Sequence, residues 1–187
     1  MRAHRAYACG AFLGYLGDLL LGDPRRGHPV ALFGDAAAAA ERALWQDRRS
    51  AGVAHTALCV SGAVATAAVL SRATRGVHRS AGSVLFAAAV TWTVLGGTGL
   101  CREAQAVAAA LDAGDVAGAR RLLPHLCGRD PDALDADGIA RAVVESVAEN
   151  TSDAVVGALV WGAIAGVPGM AAFRAVNTLD AMVGHRS

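Results

Sequence analysis

Residues 51–70 read AGVAHTALCVSGAVATAAVL, twenty consecutive positions without an Asp, Glu, Lys or Arg. Crossing ~30 Å of hydrocarbon takes about 20 helical residues at a rise of ~1.5 Å each, and this stretch meets that length. Two others meet it as well, 80–100 (SAGSVLFAAAVTWTVLGGTGL) and 154–173 (AVVGALVWGAIAGVPGMAAF). A fourth, 7–21, barely approaches it and is interrupted by Asp18. With helical patterns between them and no strand signal, the chain reads as an all-α polytopic membrane protein. The expectation is a single membrane domain over 1–187 with about four transmembrane helices and an extramembrane helical loop at 101–153.

Composition agrees with a bilayer as solvent. The hydrophobic fraction of 54% and mean hydropathy of +0.38 are high for a water-soluble domain. All 17 basic residues are Arg. A Walker A phosphate loop needs Lys and is therefore excluded. A net charge of +1, with Arg spread along the chain, leaves no basic stripe for nucleic acid. Cys9, Cys59, Cys101 and Cys127 stand far apart without a C-x-x-C pair, which argues against a disulfide frame or zinc site. The N-terminal apolar run resembles a secretory signal, but Asp18 interrupts it and no small-x-small cleavage site follows.

Four spans would put Met1, the 71–79 turn and the C-terminal end on one face, and 22–50 with 101–153 on the other. Ten of the 17 Arg fall on the second face, a bias toward the cytosol, although Arg72, Arg75 and Arg79 crowd the short turn opposite. Gly10 with Gly14, and Gly162 with Gly166, have the small-x-x-x-small spacing of close helix packing. Gly96-Gly97-Thr98-Gly99 lacks a preceding strand and reads as packing or a helix end instead of a phosphate loop.

The 101–153 segment is too long and patterned for a linker and reads as two or three helices at the membrane surface. Gly114-Asp115 is a stop and restart, Asp130-Pro131 a cap followed by a first-turn proline, and Asp135 or Asp137 a cap for the helix near Gly138. That helix carries IARAVVESVAENTSD, residues 139–153. Arg141, Glu145, Glu149 and Asp153 recur every four residues and stack on one face. A solvated face with i,i+4 pairs would look the same. Against that, Glu145 and Glu149 repel at this spacing, and a Mg²⁺ ion would relieve them. Asn150 adds an amide beside them.

A second cluster, Asp18 with Gly22-Asp23-Pro24 and His28-Pro29, forms a shaped turn at the exit of the first span. Asp18, ionisable within an apolar run, marks function by default and is expected to pair with an Arg. A third cluster, Arg174, Asn177, Thr178, Asp180 and His185, follows the last span. Its donors suit amide or phosphate recognition, and an interfacial anchor helix fits the same residues.

The words DLLLGDP, HPV, GRD, RAVVESVAENTSDAVVG, AGVPG and FRAVNTLDAMVGH, in this order, resemble the adenosylcobinamide-phosphate synthase family of cobalamin biosynthesis. The resemblance covers essentially the whole chain. Ala31, Pro131 and Gly157-Ala158 depart from the family's common residues. The family continues beyond the MVGH motif, so the resemblance implies that the chain is the N-terminal portion of a longer domain.

The resemblance implies a multi-pass inner-membrane enzyme, an ATP-dependent amide-forming ligase. It would join aminopropanol or its O-phosphate to the corrinoid adenosylcobyric acid, with Mg²⁺ and ATP as cofactors. Other late cobalamin-assembly enzymes are expected partners. Glu145, Glu149 and Asp153 would serve metal and phosphate. Arg129 and Arg141 would take anionic oxygens, with Asp130, Asn150, Arg174, Asn177 and Asp180 as further substrate contacts. Asp23 or His28 would accept the amine's proton. Two rivals are a non-catalytic membrane transporter or corrinoid-binding scaffold, and a soluble all-α core. The first would keep its polar residues near mid-membrane; the second is undercut by three long apolar stretches.

Overall fold

The computed structural model describes residues 2–22, 28–77 and 81–183, and every regular element among them is helical. In chain order these are α1 (Arg2–Leu21), α2 (Pro29–Leu44), α3 (Arg49–Val77), α4 (Ala81–Val94), α5 (Gly97–Asp112), α6 (Val116–Leu122), α7 (Ala136–Thr151) and α8 (Gly157–Val183). Among the described residues three stretches are long and apolar enough to cross a membrane, Arg49–Thr74, Ala81–Asp112 and Ala136–Met182.

Helix α1 is not among the three, yet it runs beside α4 in the same direction and to the same depth. Gly10 lies on Ala87, Gly14 on Thr91 and Gly17 on Trp92. A Cβ at Gly10 or Gly14 would stand 2.5 Å from the Cβ of Ala87 or Thr91, so the close approach needs glycine. The opposite side of α1 exposes Phe12, Leu13, Leu19 and Leu20, a surface suited to lipid.

The fourth expected span, 154–173, is not one crossing. At Gly166 the backbone leaves the helix with φ 68° and ψ −159°, and the chain doubles back. The arms 157–165 and 167–183 then lie antiparallel: Gly157 sits on the Phe173 ring, Gly162 beside the Met170 methyl, and Gly169 beside Trp161 and Ala165. Of the expected span only 154–165 precede the turn, twelve residues or about 18 Å, which is short of ~30 Å of hydrocarbon. At the corner Val167 is buried with Ala67 of α3 and Ala87 of α4. From there the second arm returns toward α2, where Met182 meets Gly34. Residues 174–182 therefore share the end of the molecule with α2 and α7, not the end expected from four through-going spans. Gly162 packs closely as anticipated, here against Tyr7, whereas Gly166 makes the turn.

The 101–153 segment has its own core. Val107, Ala119, Leu123, Ile139 and Ala142 are buried together, joining α5, α6 and α7 into a helical cap. Its breaks fall where turn chemistry puts them. Gly114 takes φ 74°, and Asp115 caps α6 by accepting from the Gly118 N–H at 2.7 Å. Asp130 accepts from the Asp132 N–H at 3.1 Å at the head of the 3₁₀ turn Pro131–Ala133. Asp135 accepts from the Gly138 N–H at 2.8 Å and starts α7.

Candidate functional site at the loop end of the helices

Between α4 and α5 the helix is interrupted at Leu95–Gly96, and Gly97-Thr98-Gly99 opens α5. Asp18, 2% exposed, fills that opening. Its Oδ2 accepts from the Thr98 backbone N–H at 3.1 Å and from the Thr98 hydroxyl at 3.2 Å. The glycine-rich stretch is thus a helix start capped by the protein's own carboxylate. Among the described residues that occupancy, and not an Arg partner, is what Asp18 acquires in the fold. Nearby, the Trp92 Nε1–H donates to the Gly22 carbonyl at 2.9 Å. The Arg102 guanidinium also overlies Gly22, whose φ of 67° suits glycine.

The acidic stripe of α7 forms, but its first carboxylate is already matched. Arg129 reaches across from the preceding loop and pairs with Glu145, both side chains being 50% exposed. A guanidinium therefore relieves the Glu145–Glu149 repulsion that suggested a metal. Glu149 and Asp153 are exposed and hold no hydrogen bond or ion pair among the described residues, and the same is true of Arg141. Past Thr151 the helix widens into a π-turn, Ser152–Val156, that contains Asp153 and shifts it off strict i,i+4 register.

Several expected contacts are spent locally. The Asn150 amide donates to the Ser146 carbonyl at 2.9 Å and to its hydroxyl at 3.2 Å, and Ser146 in turn donates to the Leu126 carbonyl at 2.6 Å. Ser146 thus ties α7 to the loop before it, and Asn150, bonded to Ser146, has only its oxygen left for a ligand. Asp130 works as a turn cap. The His28 Nδ1 accepts from the Val30 N–H at 3.2 Å and caps α2, so the lone pair a base would use is engaged. Asp23 and His185 lie outside the described residues.

Arg174 is partly buried and lines, with Thr178, a groove of about 730 Å³ between α2, α3, α4 and the second arm of α8. The Thr178 hydroxyl turns back to the Arg174 carbonyl at 2.8 Å. Asn177 is half-buried and Asp180 exposed on the same arm. The hairpin brings these residues to the end of the molecule that holds α7. The sequence did not single out Arg102, and named Thr98 only within the glycine-rich stretch read as packing or a helix end; the signal for both was an ionisable group in α1 that required a donor.

Among the described residues no three of His, Cys, Asp and Glu converge as a cage for a metal ion. Mg²⁺ arriving with nucleotide phosphates needs only one or two protein carboxylates. Glu149 and Asp153, exposed and unpartnered, fit that smaller requirement; Glu145, held by Arg129, fits it less well.

An all-α membrane protein with ionic and hydrogen-bonding groups gathered at one end of its helices is the class these observations define. The chain belongs to the CobD/Cbib protein family, whose model matches residues 11–187. It is 49% identical over 180 residues to the cobalamin biosynthesis protein CobD of Mycobacterium tuberculosis, covering 96% of this chain and 56% of that relative. Proteins of the same name from Pelobacter propionicus and Rhodobacter capsulatus are 41% identical over 179 residues and 38% over 177. These matches cover 94% and 91% of this chain, and 55% and 56% of the relatives. The chain thus spans about half the length of the curated relatives it matches. No solved structure matches.

Proposed function

We propose that the chain is part of an inner-membrane enzyme of cobalamin biosynthesis that makes an amide between adenosylcobyric acid and aminopropanol or its O-phosphate. The observation that carries this reading is the grouping of the Arg129–Glu145 pair with Arg141, Glu149 and Asp153 on the loop-end cap. Family membership and the shared name of the relatives support the pathway.

A carboxylate does not condense with an amine in water without activation. ATP with Mg²⁺ supplies that activation when bound, with Glu149 and Asp153 as the metal-side carboxylates. Arg141 and Arg129 would neutralise phosphate and acyl oxygens. Arg129 must exchange Glu145 for such an oxygen, and at half-exposure that exchange costs little. Asp23 is the candidate acceptor for the amine's proton. His28 instead caps α2.

Vesicles carrying the complete protein should couple aminopropanol or its phosphate to adenosylcobyric acid with ATP consumption. Absence of amide product with every component supplied would overturn the reading. A transporter is the second reading, favoured by the interrupted α4–α5 helix, the doubled-back α8 and the buried Asp18. It predicts corrinoid uptake into sealed vesicles. The enzyme, by contrast, should act equally in detergent solution, where no compartments exist.

A further inference from the structure

The buried charge that the proposed chemistry leaves unused is Asp18. Desolvating a carboxylate within an apolar helix is expensive, and here only one oxygen is compensated: Oδ1 is buried and meets no donor. What Oδ2 does is join two helices. It binds the Thr98 N–H and hydroxyl at the start of α5, a partner 80 residues away in sequence. A carboxylate makes stronger bonds than a neutral acceptor and suits the positive end of α5.

Two further contacts converge on the same point. The Trp92 indole N–H holds the Gly22 carbonyl at 2.9 Å, and a Cβ on Gly22 would lie 2.8 Å from Arg102 Nη1. Thr98 and Arg102 are one turn apart on α5. The end of α1 is therefore held on the α4–α5 junction by the hydrogen bonds of Asp18 and Trp92, with the Arg102 guanidinium lying over Gly22. From that junction α5 runs into the cap core through Val107, which is packed with Ile139 and Ala142 of α7.

We propose that Asp18 is a positioning residue that fixes the cap bearing Arg141, Glu149 and Asp153 on the end of α1. It holds the end of one helix on the start of another, while the chemistry takes place on residues beyond both. The proposal rests on the reaction proposed above, so its test needs one readout that depends on the reaction and one that does not.

Asp18→Ala and Asp18→Asn are compared in the complete protein, reconstituted into vesicles. Loss of the clamp in Asp18→Ala should lower kcat about 30- to 100-fold and leave KM for the amine within about threefold, the size of a misplacement effect. Asp18→Asn keeps an acceptor for Thr98 and should recover kcat to within about fivefold. Spin labels at Leu20→Cys and Gln105→Cys, both exposed, report the α1–α5 distance with the native cysteines replaced. The distance distribution should be narrow in the parent and in Asp18→Asn, and broad in Asp18→Ala.

An unbroadened distribution in Asp18→Ala overturns the clamp, whatever the activity. Asp18→Asn as inactive as Asp18→Ala, with narrow distances, overturns positioning in favour of a chemical role. If no preparation couples amine to acid, the reaction reading fails, and the distances still decide the clamp.

Discussion

Replacing Gly166 by alanine probes the feature that most changes the protein's topology. The backbone there, at φ 68° and ψ −159°, lies in a region that only glycine occupies without strain. The nearest outside atom to an added Cβ is Pro168 Cδ, at 3.9 Å, so no clash contributes and the effect is conformational. Holding an L-residue in that region costs about 1–3 kcal/mol.

Straightening the helix would not relieve the strain cheaply. The Pro168 ring would then meet the carbonyl of Ile164 and remove a helical hydrogen bond, at about 3 kcal/mol. Gly166→Ala should therefore lose about 1–3 kcal/mol in reversible unfolding in mixed micelles. Gly166→Ala with Pro168→Ala removes both barriers to a continuous helix.

Topology is read by a membrane-impermeant maleimide in oriented vesicles, with Cys9, Cys59, Cys101 and Cys127 replaced. Asp180→Cys and Asp112→Cys, both exposed, should label from the same side of the membrane. In the double variant Asp180→Cys should partly lose that sidedness. Labelling of 180 and 112 from opposite sides in the parent, or a Gly166→Ala protein as stable as the parent, would refute the hairpin.

Arg129→Ala removes a half-exposed ion pair, so unfolding should shift by no more than about 1 kcal/mol while amide formation falls at least tenfold, a split visible by assaying both. Glu149→Ala should abolish ATP-dependent coupling in the complete protein, and full turnover would remove Glu149 from the metal-side role. His28→Ala should cost about 1 kcal/mol through the lost α2 cap, and His28→Asn should restore both stability and rate. A pH–rate profile unchanged in His28→Asn would confirm that the imidazole is no base. Asp135→Ala should lower stability by about 1 kcal/mol, measured by unfolding, by freeing the Gly138 N–H at the start of α7.

Local chemistry was open to reading from the sequence. Ala-rich apolar runs, Gly114-Asp115, Asp130-Pro131 and Asp135 define helices and their ends through interactions between residues at most a few positions apart. The words that mark the family are equally linear, and RAVVESVAENT does lie on α7, with Asp153 in the π-turn beyond it. The candidate site was legible as a set of residue types, but not as a set of contacts. Asn150, Asp130 and His28 carry the right groups for substrate, and the fold spends them on backbone partners within four residues.

What lay beyond the sequence depends on residues brought together from far apart. An apolar run of 20 residues looks the same whether it crosses or doubles back, because hydropathy measures transfer into lipid and not direction. Gly166 decides the direction through one positive φ, stabilised by Phe173 against Gly157 and Met170 against Gly162. In the same way Asp18 announced an expensive charge, but its partner on α5 emerges only once α1 and α4 pack in parallel. Helix formation is local because each backbone hydrogen bond closes within one turn; the placement of Arg129 on Glu145, or of Asp18 on Thr98, requires a tertiary packing that no short window contains.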